Sequence, residues 1–593
     1  MTNYSDIKYP AAAASTTTYA DMPALVAATG MSIGDQALVT ALNKLFMYTG
    51  SGWFLIATMT NGSPTAITGV NGTYTLATDG AATTITAVSA DPEGFALTWS
   101  YAVTTGSLGS TATVSQTDNV FTITPSTDSA NAGTFGITFS VTDGSTGAVN
   151  AVSAFTLEFG TWTAPQYASI VPRPSYAASG DKYGRFFDIS GDGTFLAVGY
   201  TNSANPALSL TDQGEVIVHK NTSGTWSQDA SFESPSPSAS SSFGWGVALD
   251  YYGNTLAAFH FGTTKALRIF TRSGSTWTLQ HTFTGNYPTL PSGNLPPENT
   301  MIWSGYGGSS FADDGNTLVC GGYGGAVGQT AILTRSGTTW THEVTFVHSD
   351  WATSDGTTGA QISGDGLTIV TSSYNHAADS KSASGALYVY EYNGTSWSST
   401  IAAGHQAKLI HSDGDETGDQ LGRSDNAEGS FSVSYDGNYI VAGAAPAQLG
   451  GGAYVFLRTG TSWSQQAVLR PADFTSSTGG TRFGRSCAIS KDGDKIAVGA
   501  PDENSLISSY TGSQSGISSE GAVYMFLRSG TSWTEESRIK LPTTNTNAAA
   551  NAEFGIMVKM SANGFLVAGS AWRQRDTDGG DQKGQIHIYK EGT

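Results

Sequence analysis

The chain has 593 residues, of which 12% are charged and 73 are glycine, and its formal charge is −20 at neutral pH. That acidity, with Lys and Arg scattered rather than striped, argues against nucleic acid or an anionic membrane as partner. Cys320 and Cys487 indicate neither a disulfide framework nor a cysteine metal site, and the low charge with abundant Gly, Ser and Thr predicts an all-β protein.

Residues 1–10 lack the basic region and apolar core of an export signal, and no later run approaches transmembrane length. A particle assembled in a host cytoplasm and released by lysis reconciles that with an adhesin-like composition. Residues 19–30 read as a short helix capped by Asp21, with Pro23 in the first turn and Gly30 as stop. Three short strands follow at 37–41, 44–48 and 53–58. This first segment, 1–62, buries little by itself and is expected to dock on something. Gly34-Asp35-Gln36-Ala37-Leu38-Val39-Thr40 and Leu45-Phe46-Met47-Tyr48-Thr49-Gly50-Ser51-Gly52-Trp53 resemble N-terminal segments of structural proteins from marine tailed phages, cyanophages among them. The resemblance implies attachment to other virion proteins and homo-oligomerisation through this end.

Residues 63–158 carry alternating runs at 74–76, 83–88, 96–102, 120–124 and 135–141, the spacing of a β-sandwich. Asp91-Pro92-Glu93-Gly94 and Val141-Thr142-Asp143-Gly144 resemble bacterial cadherin-like and immunoglobulin-like repeats. Asp91, Glu93 and Asp143 read as turn residues, calcium being the alternative.

From 159 to 593 one unit returns seven times. Its clearest copy is Phe483-Gly484-Arg485-Ser486 through Ser490-Lys491-Asp492-Gly493 to Val498-Gly499-Ala500-Pro501, then Gly521-Ala522-Val523-Tyr524, then Ser529-Gly530-Thr531-Ser532-Trp533. Two apolar runs around an Asp-Gly turn, a third run, a second turn and a Trp-led fourth run make a four-stranded antiparallel sheet. The turn column runs Asp192-Gly193, Tyr252-Gly253, Asp314-Gly315, Asp365-Gly366, Asp436-Gly437, Asp492-Gly493 and Asn563-Gly564. The tryptophan column, Trp226, Trp277, Trp340, Trp397, Trp463 and Trp533, is one short, and Trp162 supplies the missing member from upstream. The stretch 162–171 is therefore expected to be the outer strand of the last sheet, closing a seven-bladed propeller. The pattern resembles the FG-GAP repeats of integrin α-subunit propellers, but the D-x-D-x-D-G calcium loop of that family is reduced here to one carboxylate per turn, too few oxygens for calcium.

Few catalytic signatures are present. His342-Glu343 has no second histidine at metalloprotease spacing, and His348, His376, His405 and His411 show no ligand spacing. The acidic loops Asp413-Gly-Asp415-Glu416-Thr-Gly-Asp419 and Asp576-Thr-Asp578-Gly-Gly-Asp581 lack a terminal bidentate Glu. No cofactor is expected, and calcium at Asp413, Asp415 and Asp419 or at Asp576, Asp578 and Asp581 is the alternative to solvated loops. The connections opposite the short hairpins vary most, so recognition is expected there, with Tyr323, Tyr510, Trp572, Arg573 and Arg575 as ligand-binding anchors. The sequence thus reads as a non-enzymatic phage fibre or appendage protein, exposed on the virion, that binds a host surface glycan or protein. A bacterial cell-surface adhesin and a propeller enzyme acting on surface polysaccharide are the alternatives.

Overall fold

The computed structural model describes residues 16–592 apart from 59–61, 78–79, 81, 93, 127–130, 145, 159–160, 178–182, 204–212, 234–241, 261–265, 285–308, 324–327, 349, 351–354, 356–358, 379–380, 413–416, 424–429, 446–450, 474–480, 505–518, 543–550 and 576–581. The chain forms two compact units, Met1–Glu158 and Phe159–Thr593, and among the described residues both are all-β apart from two short α-helices and one 3-10 turn. No helix among the described residues is long and apolar enough to cross a membrane.

The first unit opens with Thr17–Tyr19 lying parallel to Gln36–Val39, which continues antiparallel into Lys44–Tyr48 and Trp53–Thr58. The Asp21 side chain accepts the Ala24 N–H at 2.9 Å and starts a helix, Met22–Val26, shorter than the apolar pattern suggested. Leu25, Ala37, Val39 and Phe46 form its small core. The rest of this unit is a four-stranded sheet, Thr73–Thr75, Val149–Leu157, Gly133–Thr142 and Thr98–Gly106, and a three-stranded one, Thr83–Thr86, Val120–Pro125 and Ala112–Thr117. Phe121 of the smaller sheet meets Phe139 of the larger at 4.7 Å between ring centroids, so apolar faces oppose. Asp91 accepts the Phe95 N–H and Asp143 the Thr146 N–H, both as turn acceptors, while Glu93 lies outside the described residues.

The second unit contains, among the described residues, seven four-stranded sheets. In the sixth, Ser486–Ile489, Lys495–Ala500, Ala522–Ser529 and Ser532–Ile539 pair in chain order. In the seventh, Val558–Met560, Leu566–Ala571 and Gln585–Gly592 are completed by Thr161–Ile170 from the other end of the unit. The inner strand of each sheet packs beside that of the next, and the seventh beside the first, which gives a propeller-like ring. Closure is repeated in the backbone, where Phe243 N–H donates to Gln213, Leu421 to Ser384, Phe554 to Glu520 and, across the join, Tyr183 to Lys583.

The repeat residues explain this geometry. A Cβ on Gly199, Gly443 or Gly499 would stand 1.8, 1.7 or 1.9 Å from the carbonyl of Gly244, Gly484 or Gly555. The second-strand glycine of one sheet therefore presses against the Phe-Gly of the next, and both positions demand glycine. In the turns, Ser190 donates to Asp192 Oδ1 at 2.6 Å while its own oxygen accepts the Phe195 N–H, and Oδ1 also takes the Thr194 N–H. The same lock recurs at Ser363-Asp365, Ser434-Asp436, Ser490-Asp492 and Ser561-Asn563. These single carboxylates and amides hold hairpins.

Tryptophan indoles bridge neighbouring sheets: Trp277 donates to Asp229, Trp340 to Gln280 and Trp533 to Gln466, at 2.8 to 2.9 Å. The fourth sheet departs from the expected strand at Trp397. Ser396 caps a helix, Trp397–Ala403, by accepting the Ser399 N–H, and the outer strand shrinks to Ala407–Leu409.

Candidate functional site

The short hairpins of each sheet lie together, tied by an arginine column that the sequence reading missed. Arg272 donates to the Gly253 carbonyl, Arg528 to that of Gly493, and Arg335 and Arg458 to the side chains of Asn316 and Asn438. The longer connections leave from the opposite strand ends, and two polar clusters stand among them.

The first is built on Arg185, which follows the Tyr183-Gly184 entry to the first sheet. Its guanidinium carbon lies 5.3 Å from the Phe186 ring, 5.3 Å from Trp245 and 5.1 Å from Trp572. Arg573 stacks on Trp572 at 4.6 Å. Glu553 anchors the group, accepting from the Trp572 indole at 2.9 Å and pairing with Arg573 at 2.7 Å and Arg482 at 3.5 Å. Trp245, Trp572 and Arg573 are half-buried, so the stack offers aromatic edges and guanidinium N–H groups to solvent. Of the expected anchors, Trp572 and Arg573 meet here. Arg575, two residues beyond Arg573, pairs by a backbone bridge with Gln582, Tyr323 ends the strand Thr317–Tyr323 of the third sheet, and Tyr510 lies outside the described residues.

The second cluster joins three of the dispersed histidines. His348 Nδ1 lies 3.2 Å from Asp350 and its Nε2 3.7 Å from Asp355, while His376 Nδ1 lies 3.1 Å from Asp355 and its Nε2 3.6 Å from Asp350. Lys408 contacts Asp350 at 2.6 Å and His376 at 2.8 Å. Tyr388 stacks on His348 at 4.2 Å and meets His405 edge-on. Burial pushes the Asp350 carboxyl up, but hydrogen bonds from His348 and Lys408 outweigh it and hold the group below the ordinary carboxylate range. Pairing across Ala386–Glu391 and Ala407–Leu409 sets Tyr388 opposite Lys408; sequence spacing carries no trace of the assembly beyond His348-Ser349-Asp350.

The acidic loops are only partly described. Asp419 is buried 3.7 Å from His411; Asp413, Asp415, Asp576, Asp578 and Asp581 lie outside the described residues. Among the described residues no group of three or more His, Cys, Asp or Glu is arranged to hold a metal ion.

No family model and no curated protein matches the chain. Among solved structures, a protein assigned as a 6-phosphogluconolactonase from Bacteroides fragilis is similar at 12% identity and a TM-score of 0.39, over 68% of this chain and 90% of that one. The WD40 repeats of RRP9 are similar at 11% identity and a TM-score of 0.40, over 72% of this chain and all of theirs.

Proposed function

We propose that the seven sheets are the blades of a seven-bladed propeller of FG-GAP type, carried behind an immunoglobulin-like spacer. In this reading the chain is a non-enzymatic appendage protein of a tailed-phage virion, joined to other virion proteins through residues 1–62. The propeller is presented outward to bind a host surface glycan or protein. One observation carries the adhesive part: a scaffold locked by glycine contacts and turn hydrogen bonds displays the Arg185, Trp245, Trp572 and Arg573 stack among its longest connections. Rigid support with aromatic and arginine side chains is what a contact surface needs. Antibody raised against residues 159–593 should label intact phage particles and block their adsorption to host cells. Labelling of the bacterial envelope and not of particles would replace this reading with a cell-surface adhesin.

The cluster of His348, Asp350, Asp355, His376 and Lys408 favours a second reading, acid–base chemistry on a surface polysaccharide. Release of reducing ends from host polysaccharide by the full chain, abolished by His376→Ala, would establish it.

A further inference from the structure

We propose that a cavity on the hairpin side of the ring, between the third and fourth sheets, is a binding site for one uncharged or amino-bearing sugar unit. The proposal deepens the adhesive reading above by naming a ligand class and a second location. The cavity measures about 310 Å³ and is lined by residues of both sheets, among them Asp314, Glu343, Asp365, Tyr392, Thr395 and Trp397. That volume is at the lower end of small-molecule sites and admits a single pyranose.

Its origin is a departure from the repeat. At three other junctions of neighbouring outer strands the indole donates to the residue three places beyond the tryptophan of the preceding sheet, Trp277 to Asp229, Trp340 to Gln280 and Trp533 to Gln466. At the third and fourth sheets that place is held by Glu343. Its Oε1 accepts the backbone N–H groups of Trp397 at 2.7 Å and Ser398 at 3.2 Å, because the chain there turns into a helix. Trp397 consequently joins the core with Val344, Phe346 and Ile401, and the space outside it is left open.

The lining has the chemistry of sugar recognition. Glu343 Oε2, Asp365 Oδ2 and the Tyr392 hydroxyl have no hydrogen-bond partner among the described residues, so two acceptors and a donor face a common space. The half-buried Tyr392 supplies an aromatic ring against which the C–H face of a pyranose packs, backed by the buried Trp397 at 5.2 Å between ring centroids. Three carboxylates and no Lys or Arg among the lining residues select against an acidic sugar, whose carboxylate would be repelled, and favour hydroxyl or ammonium donors.

The test is ligand-observed saturation-transfer NMR on the full chain with methyl glucoside, glucosamine and glucuronic acid as probes. Glucoside or glucosamine should show transfer, and glucuronic acid should bind at least about tenfold more weakly. Glu343→Gln should weaken binding but also touches the helix end, so Thr395→Arg is the second variant. Thr395 is exposed at the rim; its backbone N–H donates to Asn393 Oδ1 at 2.9 Å, a bond that a side-chain replacement leaves in place, and the arginine should block entry, reducing affinity about tenfold or more while the melting temperature stays unchanged. Absence of transfer with all three probes, equal binding of glucuronic acid, or unaltered binding by Thr395→Arg would overturn the assignment. Adsorption to host cells, measured in parallel, separates the two proposals: if Thr395→Arg adsorbs normally and no sugar binds, the cavity site falls and the adhesive reading stands.

Discussion

Lys491 shows how much one repeat position can carry. It stands between the Ser and Asp of the sixth turn, where the other sheets place Gly191, Tyr251, Asp313, Gly364, Tyr435 and Ala562. Its ammonium lies 4.0 Å from the Tyr435 ring, 4.8 Å from the Tyr251 ring and 3.3 Å from Asp313 Oδ2. A Cβ on Gly364 would approach Tyr435 to 2.2 Å and one on Gly191 would approach Tyr251 to 2.4 Å, so these two glycines make room for the rings. Lys491 N–H also donates to Ala562 and Ala562 N–H to Gly191. Burial raises the Asp313 carboxyl and the lysine opposes that rise. Lys491→Met should cost about 2 kcal/mol in urea unfolding, because it strips two cation–π contacts and leaves a half-buried carboxylate alone. Adding Asp313→Asn should restore part of the loss, and independent, additive losses would show that the two groups do not act as a pair.

His219 is a residue whose contribution depends on pH. It is 1% exposed and hydrogen-bonded to Tyr183 at 2.8 Å, and burial holds its imidazole down to about 4. Because the unfolded chain takes up this proton near pH 6.5 and the folded chain refuses it, stability falls as pH drops from about 6.5 to 4, by up to about 3 kcal/mol. Glu520 and Glu591, raised by burial, act with the opposite sign, since their folded forms bind protons first. The comparison that isolates the histidine is His219→Gln against the parent. The variant should lose less stability than the parent between pH 6.5 and 4 in urea titrations, and parallel curves would contradict the assignment.

At the scale of elements, the strand Thr161–Ile170 decides whether the ring closes. Trp162 is fully buried with Val523, Phe554 and Tyr589, and its indole donates to the Gly564 carbonyl at 3.0 Å. Without this strand Gln585–Gly592 becomes an open edge and Trp162 leaves a large cavity. A fragment of residues 180–593 should aggregate or melt well below a fragment of residues 158–593 in scanning calorimetry, and equal melting temperatures would show closure to be dispensable. This strand was legible because a missing tryptophan downstream and an extra Gly-Thr-Trp upstream are the same observation made twice. Ala112–Thr117 and Val149–Leu157 are weakly marked in the sequence, since small Ala, Ser and Thr residues among few large apolar ones blunt the alternation that marks a half-buried strand. The helix at Trp397 was hidden for a related reason: the tryptophan kept its repeat position while Ser396 and Glu343 rerouted the backbone. The polar clusters were the least legible. Arg185 and Trp572, or His348 and His376, are brought together by sheet pairing across long connections, which no short spacing encodes.

For the whole molecule, the unanswered demand for burial lies at the N-terminal end. The small sheet of the first unit ends in the edge strand Trp53–Thr58, whose Phe54, Leu55 and Ile56 are 67%, 46% and 44% exposed. Ile33 and Val26 in the same segment are 78% and 68% exposed. Three successive apolar side chains on an edge that no described strand pairs form a surface that water disfavours and that another strand can extend by backbone hydrogen bonds. The sheets of the second unit differ in kind, for their outer strands bond to neighbours through Trp277, Trp340 and Trp533 and their ring closes on itself. Self-association is therefore expected through residues 1–62, by strand pairing or apolar contact along Trp53–Thr58. In multi-angle light scattering the full chain should form oligomers while a chain starting at Ser63 stays monomeric. Phe54→Lys with Ile56→Lys should dissociate the oligomer without lowering the melting temperature of the second unit, since charges on an edge strand oppose pairing. Oligomers of the Ser63 chain equal to those of the parent would place the contact elsewhere and contradict self-association through the exposed edge.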